Sequence, residues 1–493
     1  MRTMAPNNTA PRNLKIAIIG GGITGSCAAR ALLHLSEQSQ SKTNVKVDLF
    51  DQGRRGVGGR SSNRAQHYPN EISNEKCKLS GMNMRWDHGC QFFRADTDRF
   101  KLLVKELMAE GVCDEWKGNF RSSSTTSGTC KHDFFGMPSS PPFYVGADGM
   151  QSVSKGVLDR MIRAQEDAED GGKNEIRDSH FHSSRSLSTL TLFTGTRVSE
   201  LDRDETSQKW KLWGASGNAA FHDTPEKVVQ QSNERVLLGE SEGYDGIILT
   251  DVSSSFGKWH RASAGVPESF ACRVRERVGA RVPLFTVMIA FETKSKIPFD
   301  AATFDHDILW FASKTNSKPG MEGLKECWTL VSSPEYAMEK IEETPMQDPK
   351  SGEFIPQTKE YLTTVPGPDL KNAFYKELMS TDGILGNDAL SSVPRIIHMD
   401  AQRWGSAMPA HRHLDEDSHT RKVISGVPYD SGRSPLAPTK IVTCRHGDER
   451  TFLVDEKLML FQAGDMMSTF TPGFEGAAIS GMDAAEYLFE KLS

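Results

Sequence analysis

The stretch Ile19-Gly20-Gly21-Gly22-Ile23-Thr24-Gly25-Ser26 constrains this chain more than any other. A short apolar run, Leu14–Ile19, leads into it and reads as a buried strand. Behind it, Ile23, Cys27, Ala31, Leu32 and Leu35 fall at helical spacing. Val45–Phe50 alternates as a second strand and ends on Asp51. Strand, glycine turn, helix and strand make a β-α-β unit, with Gly20, Gly22 and Gly25 in the spacing GxGxxG. Gly20 lets the chain turn tightly out of the strand, and Gly22 admits a pyrophosphate without a Cβ in the way. Gly25 lets the helix pack closely on the sheet. The free N–H groups at the helix start, Ile23 and Thr24 included, then face anionic oxygens.

Asp51, with Gln52 beside it, stands where a carboxylate can accept from a ribose diol, which disfavours a 2′-phosphate. To this point NAD and FAD fit equally. Two features favour FAD. The second glycine pair and cation, Gly58-Gly59-Arg60, bring more amides and a charge toward the same pyrophosphate. The C-terminal strand Leu458–Ala463 ends on Gly464-Asp465, and Pro472-Gly473-Phe474-Glu475-Gly476-Ala477 opens a small-residue helix. Asp465 can accept from ribityl hydroxyls, and amides near Glu475, Gly476 and Ala477 can donate to a flavin pyrimidine ring.

At 493 residues the chain calls for two or three domains. A net charge of −6 without a basic block argues against nucleic acid or a polybasic membrane anchor. Eight scattered cysteines without CxxC offer no zinc or dithiol motif and suit a reduced compartment. No apolar run approaches the ~18 residues of a spanning helix. A cytoplasmic protein with no membrane span and no metal is the expectation. Residues 117–141, 163–188, 204–243 and 410–436 are polar inserts that read as exposed or partly disordered loops, and residues 1–11 as a disordered tail.

Further strands are expected at Gly246–Thr250, Arg281–Glu292, Ile308–Ser313, Cys327–Ser333 and Pro394–Met399, with a last helix from Gly476 to Leu492. The fold class that follows is α/β, a discontinuous Rossmann-type FAD-binding domain plus a mixed-sheet substrate domain. The FAD-binding domain is assigned to 12–100, 145–265 and 440–493, and the substrate domain to 101–144 and 266–439.

With GxGxxG, GGR and a C-terminal GD…EGA…SG in this order, the chain resembles the flavin amine oxidase superfamily. More narrowly, it is similar to the renalase-like NAD(P)/FAD-dependent oxidoreductases. The segments that carry this are Trp86–Phe93 (WDHGCQFF), Tyr144-Val145-Gly146, Lys318-Pro319-Gly320 and Gln402-Arg403-Trp404. The resemblance implies that main-chain groups at Val198 hold the adenine and that Thr250 lies near the cofactor. Some amine oxidases bind their flavin through a C-terminal cysteine; here no cysteine follows Cys444, so the FAD is expected to be non-covalent. Relatives often have an aromatic-rich HRW tract where this chain reads Gln402-Arg403-Trp404-Gly405, a departure at the substrate side.

In flavin oxidation the cofactor accepts the hydride, and the protein supplies position and water exclusion. The candidate catalytic residues are Lys318, Gln91 and Trp404. Lys318 is a solvated turn lysine or a lysine near the flavin, and Trp404 a core residue or a plate over a flat substrate. His88 suits a structural hydrogen bond, and Arg403 a substrate phosphate or a pairing with Asp400. The expected activity is hydride transfer from a small reduced substrate, dihydronicotinamide-type and so NAD(P)H-related, or an amine. O2 is the expected acceptor, with release of peroxide. The alternatives are an amine oxidase or desaturase of the same superfamily, and a flavin-binding protein without turnover.

Overall fold

The computed structural model describes residues 12–39, 43–67, 83–123, 142–174, 188–216, 236–256, 266–278, 281–304, 306–323, 325–345, 355, 357–379, 393–409, 412–414, 421–423, 450–468 and 473–493. The tail 1–11 and large parts of the polar inserts lie outside these residues.

Two six-stranded sheets organise the chain. The first contains, in spatial order, Leu453–Asp455, Leu460–Gln462, Gly246–Leu249, Asn13–Ile19, Asn44–Phe50 and Thr189–Phe193. All neighbours run parallel except Leu453–Asp455, which lies antiparallel to Leu460–Gln462. Parallel strands covered on both faces need continuous apolar runs. Ile16, Ala17, Ile18, Ile247 and Ile248 are accordingly buried. One face packs on the helices Ile23–Gln38 and Phe474–Leu492, through Ala28, Leu32, Ala484 and Leu488. These helices touch closely, because a Cβ on Gly481 would overlap the carbonyl oxygen of Thr24. The other face is closed by a three-stranded antiparallel sheet (Thr196–Arg203, Trp210–Ser216, Val236–Leu238) and the helix Glu268–Val278.

The second sheet is mixed: Ile396–Pro409, Arg281–Phe291, Cys327–Ser332, Leu309–Lys314, Ala301–Phe304 and Phe120–Ser123, the last pair parallel and the others antiparallel. Pro283 cannot donate to a ladder, and the register shifts at that point, between Val282 and Leu284. Helices Pro334–Glu343 and Pro366–Met379 cover this sheet's outer face, with Leu370, Phe374 and Leu378 buried on Trp328 and Leu330. The hairpin Asn63–His67 with Asn83–Asp87 reaches across to it, where the Trp86 indole N–H donates to Ile289 O at 2.9 Å.

The sequence reading underestimated order in two places. Pairing with the long strand Arg281–Phe291 extends the expected Pro394–Met399 strand to Ile396–Pro409, past a polar QRWGS stretch without apolar alternation. The polar inserts also contribute elements: Phe120–Ser123 edges the mixed sheet, the helix Gln151–Asn174 runs into the second insert, and Val236–Leu238 pairs with Trp210–Ser216. The last helix begins at Phe474, two residues before the expected start.

Candidate functional site

The three motif glycines occupy three different environments. Gly20 has φ of +108°, a left-handed conformation, and a side chain there would run into the Thr250 hydroxyl. A Cβ on Gly25 would overlap the carbonyl oxygen of Gly20, so the helix sits directly on the turn. Gly22 differs, since its φ of −71° suits any residue. The nearest neighbour a Cβ would meet there is Gly58 O at 3.8 Å. Only at Gly22 does the absent side chain leave space, at the N-terminus of a 16-residue helix that begins with the buried Ile23 and Thr24. That is the arrangement an anion requires.

Asp51 is buried at the end of its strand. Its Oδ2 accepts from the Gly21 amide and its Oδ1 from the Gly53 amide, each at 2.6 Å. Burial raises its pKa against the pull of these two amides. Each oxygen keeps a second acceptor direction. Gln52 is exposed beside it. The Thr196 amide donates to Asp51 O at 2.9 Å, which brings the strand of Val198 alongside. Opposite Trp213 and Gly214 that strand skips Ser199 and so bulges next to Val198.

The distant motifs converge on the turn. The Gly58 amide donates to Gly21 O at 3.0 Å, and Gly59, left-handed at φ +53°, lies against Gly22. Arg60 forks over Asp465 and also donates to Ala407 O at 2.9 Å. Gly464 (φ +134°) faces Thr24 and Thr250 with no closer neighbour than 3.5 Å, and its amide donates to the Ser480 hydroxyl. Thr250, implied to lie near the cofactor, donates to Ile19 O and Gly20 O and so braces the turn. At the head of the last helix, the Ala477 amide already donates to Gly473 O. The amides without an intrahelical acceptor are therefore those of Phe474, Glu475 and Gly476, so Ala477 is not a free donor. The Glu475 carboxylate is committed elsewhere, to the amides of Asp96 and Thr97 at 2.8 and 2.7 Å.

The Asp87–Phe92 segment lies between Arg60 and the mixed sheet. The Cys90 amide donates to Arg60 O, and the Trp404 indole donates to His88 O, each at 2.8 Å. His88 Nδ1 lies 2.8 Å from Ser62 O. A carbonyl can only accept, so Nδ1 carries the proton. Burial lowers the His88 pKa to about 4, so the ring is neutral near pH 7 and Nε2 is a bare acceptor. Trp404 packs edge-on to it, 5.2 Å between ring centres.

Lys318 and Gln91 take other roles than expected. Lys318 is no solvated turn residue: it is fully buried, 2.8 Å from both Asp87 Oδ2 and Gln91 O. Gln91 spends its amide on Asp87 O and Gly89 O and accepts from the Ser313 hydroxyl at 2.7 Å. With both ends of the side chain taken, it has nothing to offer a substrate. Trp404 is likewise held by His88 O and Thr286, its indole N–H engaged. Asp400 pairs with Arg64 rather than Arg403, and Arg403 donates to Ile355 O. Sequence reasoning missed Asp87, which lay inside the quoted WDHGCQFF stretch, and Ser313 and Thr329, whose hydroxyls bond to this segment without any motif to mark them.

Fold and site define a two-sheet α/β protein with a dinucleotide-type turn. Residues 18–107 match the NAD(P)-binding Rossmann-like domain. Among solved structures, the chain is similar to a cyclohexylamine oxidase from Brevibacterium oxydans IH-35A, at 11% identity over 97% of this chain and 99% of that one, with a TM-score of 0.49. It is similar to putrescine oxidase in a structure with bound putrescine, at 12% identity over 98% and 100% of the two chains, TM-score 0.47. An oxidoreductase from Methanosarcina mazei matches at 10% identity over 96% and 100%, TM-score 0.46. At such values the likeness says nothing about chemistry. No group of residues fit to hold a metal ion occurs among the described residues, and none of their helices is long and apolar enough to cross a membrane.

Proposed function

We propose that this chain is an FAD-dependent oxidoreductase of the renalase-like kind, taking a hydride from a small reduced substrate to a non-covalently held FAD. One observation supports the reading: the open space at Gly22 heads the helix Ile23–Gln38, Gly59 and Gly464 lie beside it, Arg60 forks to Asp465, and the second long helix, Phe474–Leu492, packs on the same helix start through Gly481. A nicotinamide dinucleotide needs only the first helix; a second amide-bearing helix start suits a longer, ring-bearing cofactor.

In this reading the Gly20–Gly25 turn and Gly59 hold the pyrophosphate, Asp51 with Gln52 the adenosine ribose, and Val198 main-chain groups the adenine. Gly464 and Asp465 receive the ribityl chain, and the amides of Glu475 and Gly476 the pyrimidine edge. The FAD-binding domain comprises 12–100, 145–265 and 440–493, roofed by a substrate domain of 101–144 and 266–439. The bound flavin supplies hydride acceptance. The chain's own work is to exclude water and orient the substrate, with Trp404 as a flat wall and neutral His88 Nε2 as an acceptor for a substrate N–H or O–H. No acid or base is needed for that transfer. The donor is proposed to be dihydronicotinamide-type, and O2 the final acceptor.

The test is direct. Purified protein should be yellow and release FAD on acid precipitation, and anaerobic mixing with dihydronicotinamide isomers should bleach it. Bleaching by amines or polyamines alone would move the reading to an amine oxidase. Bound FAD that no donor bleaches would indicate a non-catalytic flavoprotein, and colourless protein that takes up no FAD would refute the proposal.

A further inference from the structure

We infer that Lys318 is a positioning residue: its ammonium spans Asp87 and Gln91 and holds the intervening backbone as a fixed wall against Arg60 and Trp404. The inference rests on the FAD reading for the wall's purpose, though not for its existence.

The geometry is that of a clasp. Lys318 Nζ reaches Asp87 Oδ2 and Gln91 O, the two ends of a five-residue segment, each at 2.8 Å. Both ionic partners are fully buried. The Trp116 ring, 5.3 Å from the ammonium, closes a further side. The other oxygen of Asp87 accepts from the Met150 amide at 2.8 Å, just before the helix Gln151–Asn174. Thr329 of the mixed sheet donates to Asp87 O, and Ser313 to the Gln91 side chain. Lys318 itself belongs to the turn that follows the mixed-sheet strand Leu309–Lys314. The clasp therefore fastens a segment near the glycine turn to the mixed sheet.

What it fastens has little room to move. A Cβ on Gly89 would overlap Arg60 O and come within 3.2 Å of the Trp404 ring. Arg60 ends the second glycine turn and forks to Asp465, and Trp404 is the proposed wall of the substrate site. With no solvent access, Lys318 can reach a substrate or a flavin only through the backbone it holds. A lysine kept for acid–base work would need an open proton path.

Cys90, inside the clasped segment, is a built-in reporter. Its Sγ–H points to Phe92 O at 3.2 Å, and burial pushes the thiol up to about 12, Asp87 adding to the effect. The nearby Lys318 charge pulls in the opposite direction. In Lys318→Met, losing that charge would by itself slow alkylation of Cys90, so faster alkylation there reports backbone displacement. In a variant that also loses the Asp87 charge the thiol is eased in the other direction, and the flavin band is the deciding readout.

The experiment uses the full chain as Lys318→Met and as Asp87→Asn/Lys318→Met, the double variant sparing the fold an unpaired buried carboxylate. Cys90 alkylation by iodoacetamide is followed by peptide mass spectrometry in the apoprotein. The visible spectrum and dithionite reduction of the FAD-loaded protein are recorded beside it. In both variants Cys90 should alkylate at least about tenfold faster and the flavin band should shift, because Gln91 O has lost its donor. In the double variant the melting temperature should return toward wild type while both signatures persist. Wild-type protection of Cys90 in Lys318→Met, or an unshifted flavin band in the double variant, would overturn the proposal, leaving Lys318 a purely stabilising residue. Wild-type protein that takes up no FAD would defeat the FAD reading instead, and the apoprotein alkylation rates would still judge the clasp.

Discussion

Arg60 forks over the carboxylate of Asp465, a residue near the other end of the chain, and its Nη1 also donates to Ala407 O at 2.9 Å. One guanidinium thus joins the second glycine turn, the C-terminal turn and the edge strand of the mixed sheet. Asp465 is buried, whereas Arg60 remains partly exposed. A charge-assisted fork of this kind sets geometry more than it adds stability. Asp465→Asn should therefore melt close to wild type but bind FAD about tenfold to a hundredfold more weakly, about 1.4–2.7 kcal/mol. Fluorescence titration of apoprotein with FAD measures this; an unchanged Kd would remove Asp465 from the site.

The glycine turn separates folding from binding. Gly22 has ordinary backbone angles and open space before it, so Gly22→Val should fold and melt within a few degrees of wild type yet retain no FAD. Gly25→Val, whose Cβ would overlap Gly20 O, should lose about 3 kcal/mol or more, typical of core overpacking and strain. Denaturation curves and flavin content on the two variants check the contrast. Yellow Gly22→Val protein would refute the assigned turn.

Stability should fall in mild acid through His88. Burial holds its folded pKa near about 4, below the ordinary 6.5. As pH drops through about 6.5 the unfolded chain takes up a proton that the folded chain refuses until about pH 4. The stability is complete above that window and declines across it by about 3 kcal/mol at most. His398, shifted down by burial as well, adds in the same direction. Urea midpoints at pH 7 and pH 5 should differ less in His88→Asn than in wild type, and an equal difference would show that His88 does not carry the slope.

Gln91 should behave as a structural residue. Gln91→Leu leaves Gly89 O and the Ser313 hydroxyl without a partner and Asp87 O with only the Thr329 hydroxyl, at a cost of about 2–3 kcal/mol. The pH dependence of flavin reduction should keep its shape, because no proton passes through an amide held at both ends. Stopped-flow reduction across pH tests this, and a lost limb in the profile would restore Gln91 to the chemistry.

The β-α-β unit was legible because its signals are local. An apolar run, a glycine spacing and an acid at a strand end each reflect the conformation of a few adjacent residues. The C-terminal strand and helix were legible for the same reason, to within two residues at Phe474. The long strand Ile396–Pro409 was not, since its second half is defined by the partner Arg281–Phe291 rather than by its own alternation. The strand Val236–Leu238, though wholly apolar, was hidden because three residues inside a polar insert carry no period of their own until they pair with Trp210–Ser216.

For the site, the sequence by itself determined where a pyrophosphate can be approached, because only a missing Cβ permits that approach and glycine alone lacks one. It also marked Asp51, Arg60 and Asp465 as charged ends of turns. Only the tertiary structure decided that Arg60 and Asp465 face each other, that Lys318 is clasped by Asp87 and Gln91, and that His88 is neutral. Those outcomes depend on burial and on partners brought together from distant parts of the chain. Charge, protonation and hydrogen-bond commitment are properties of an environment, and the environment exists only once the two sheets have packed.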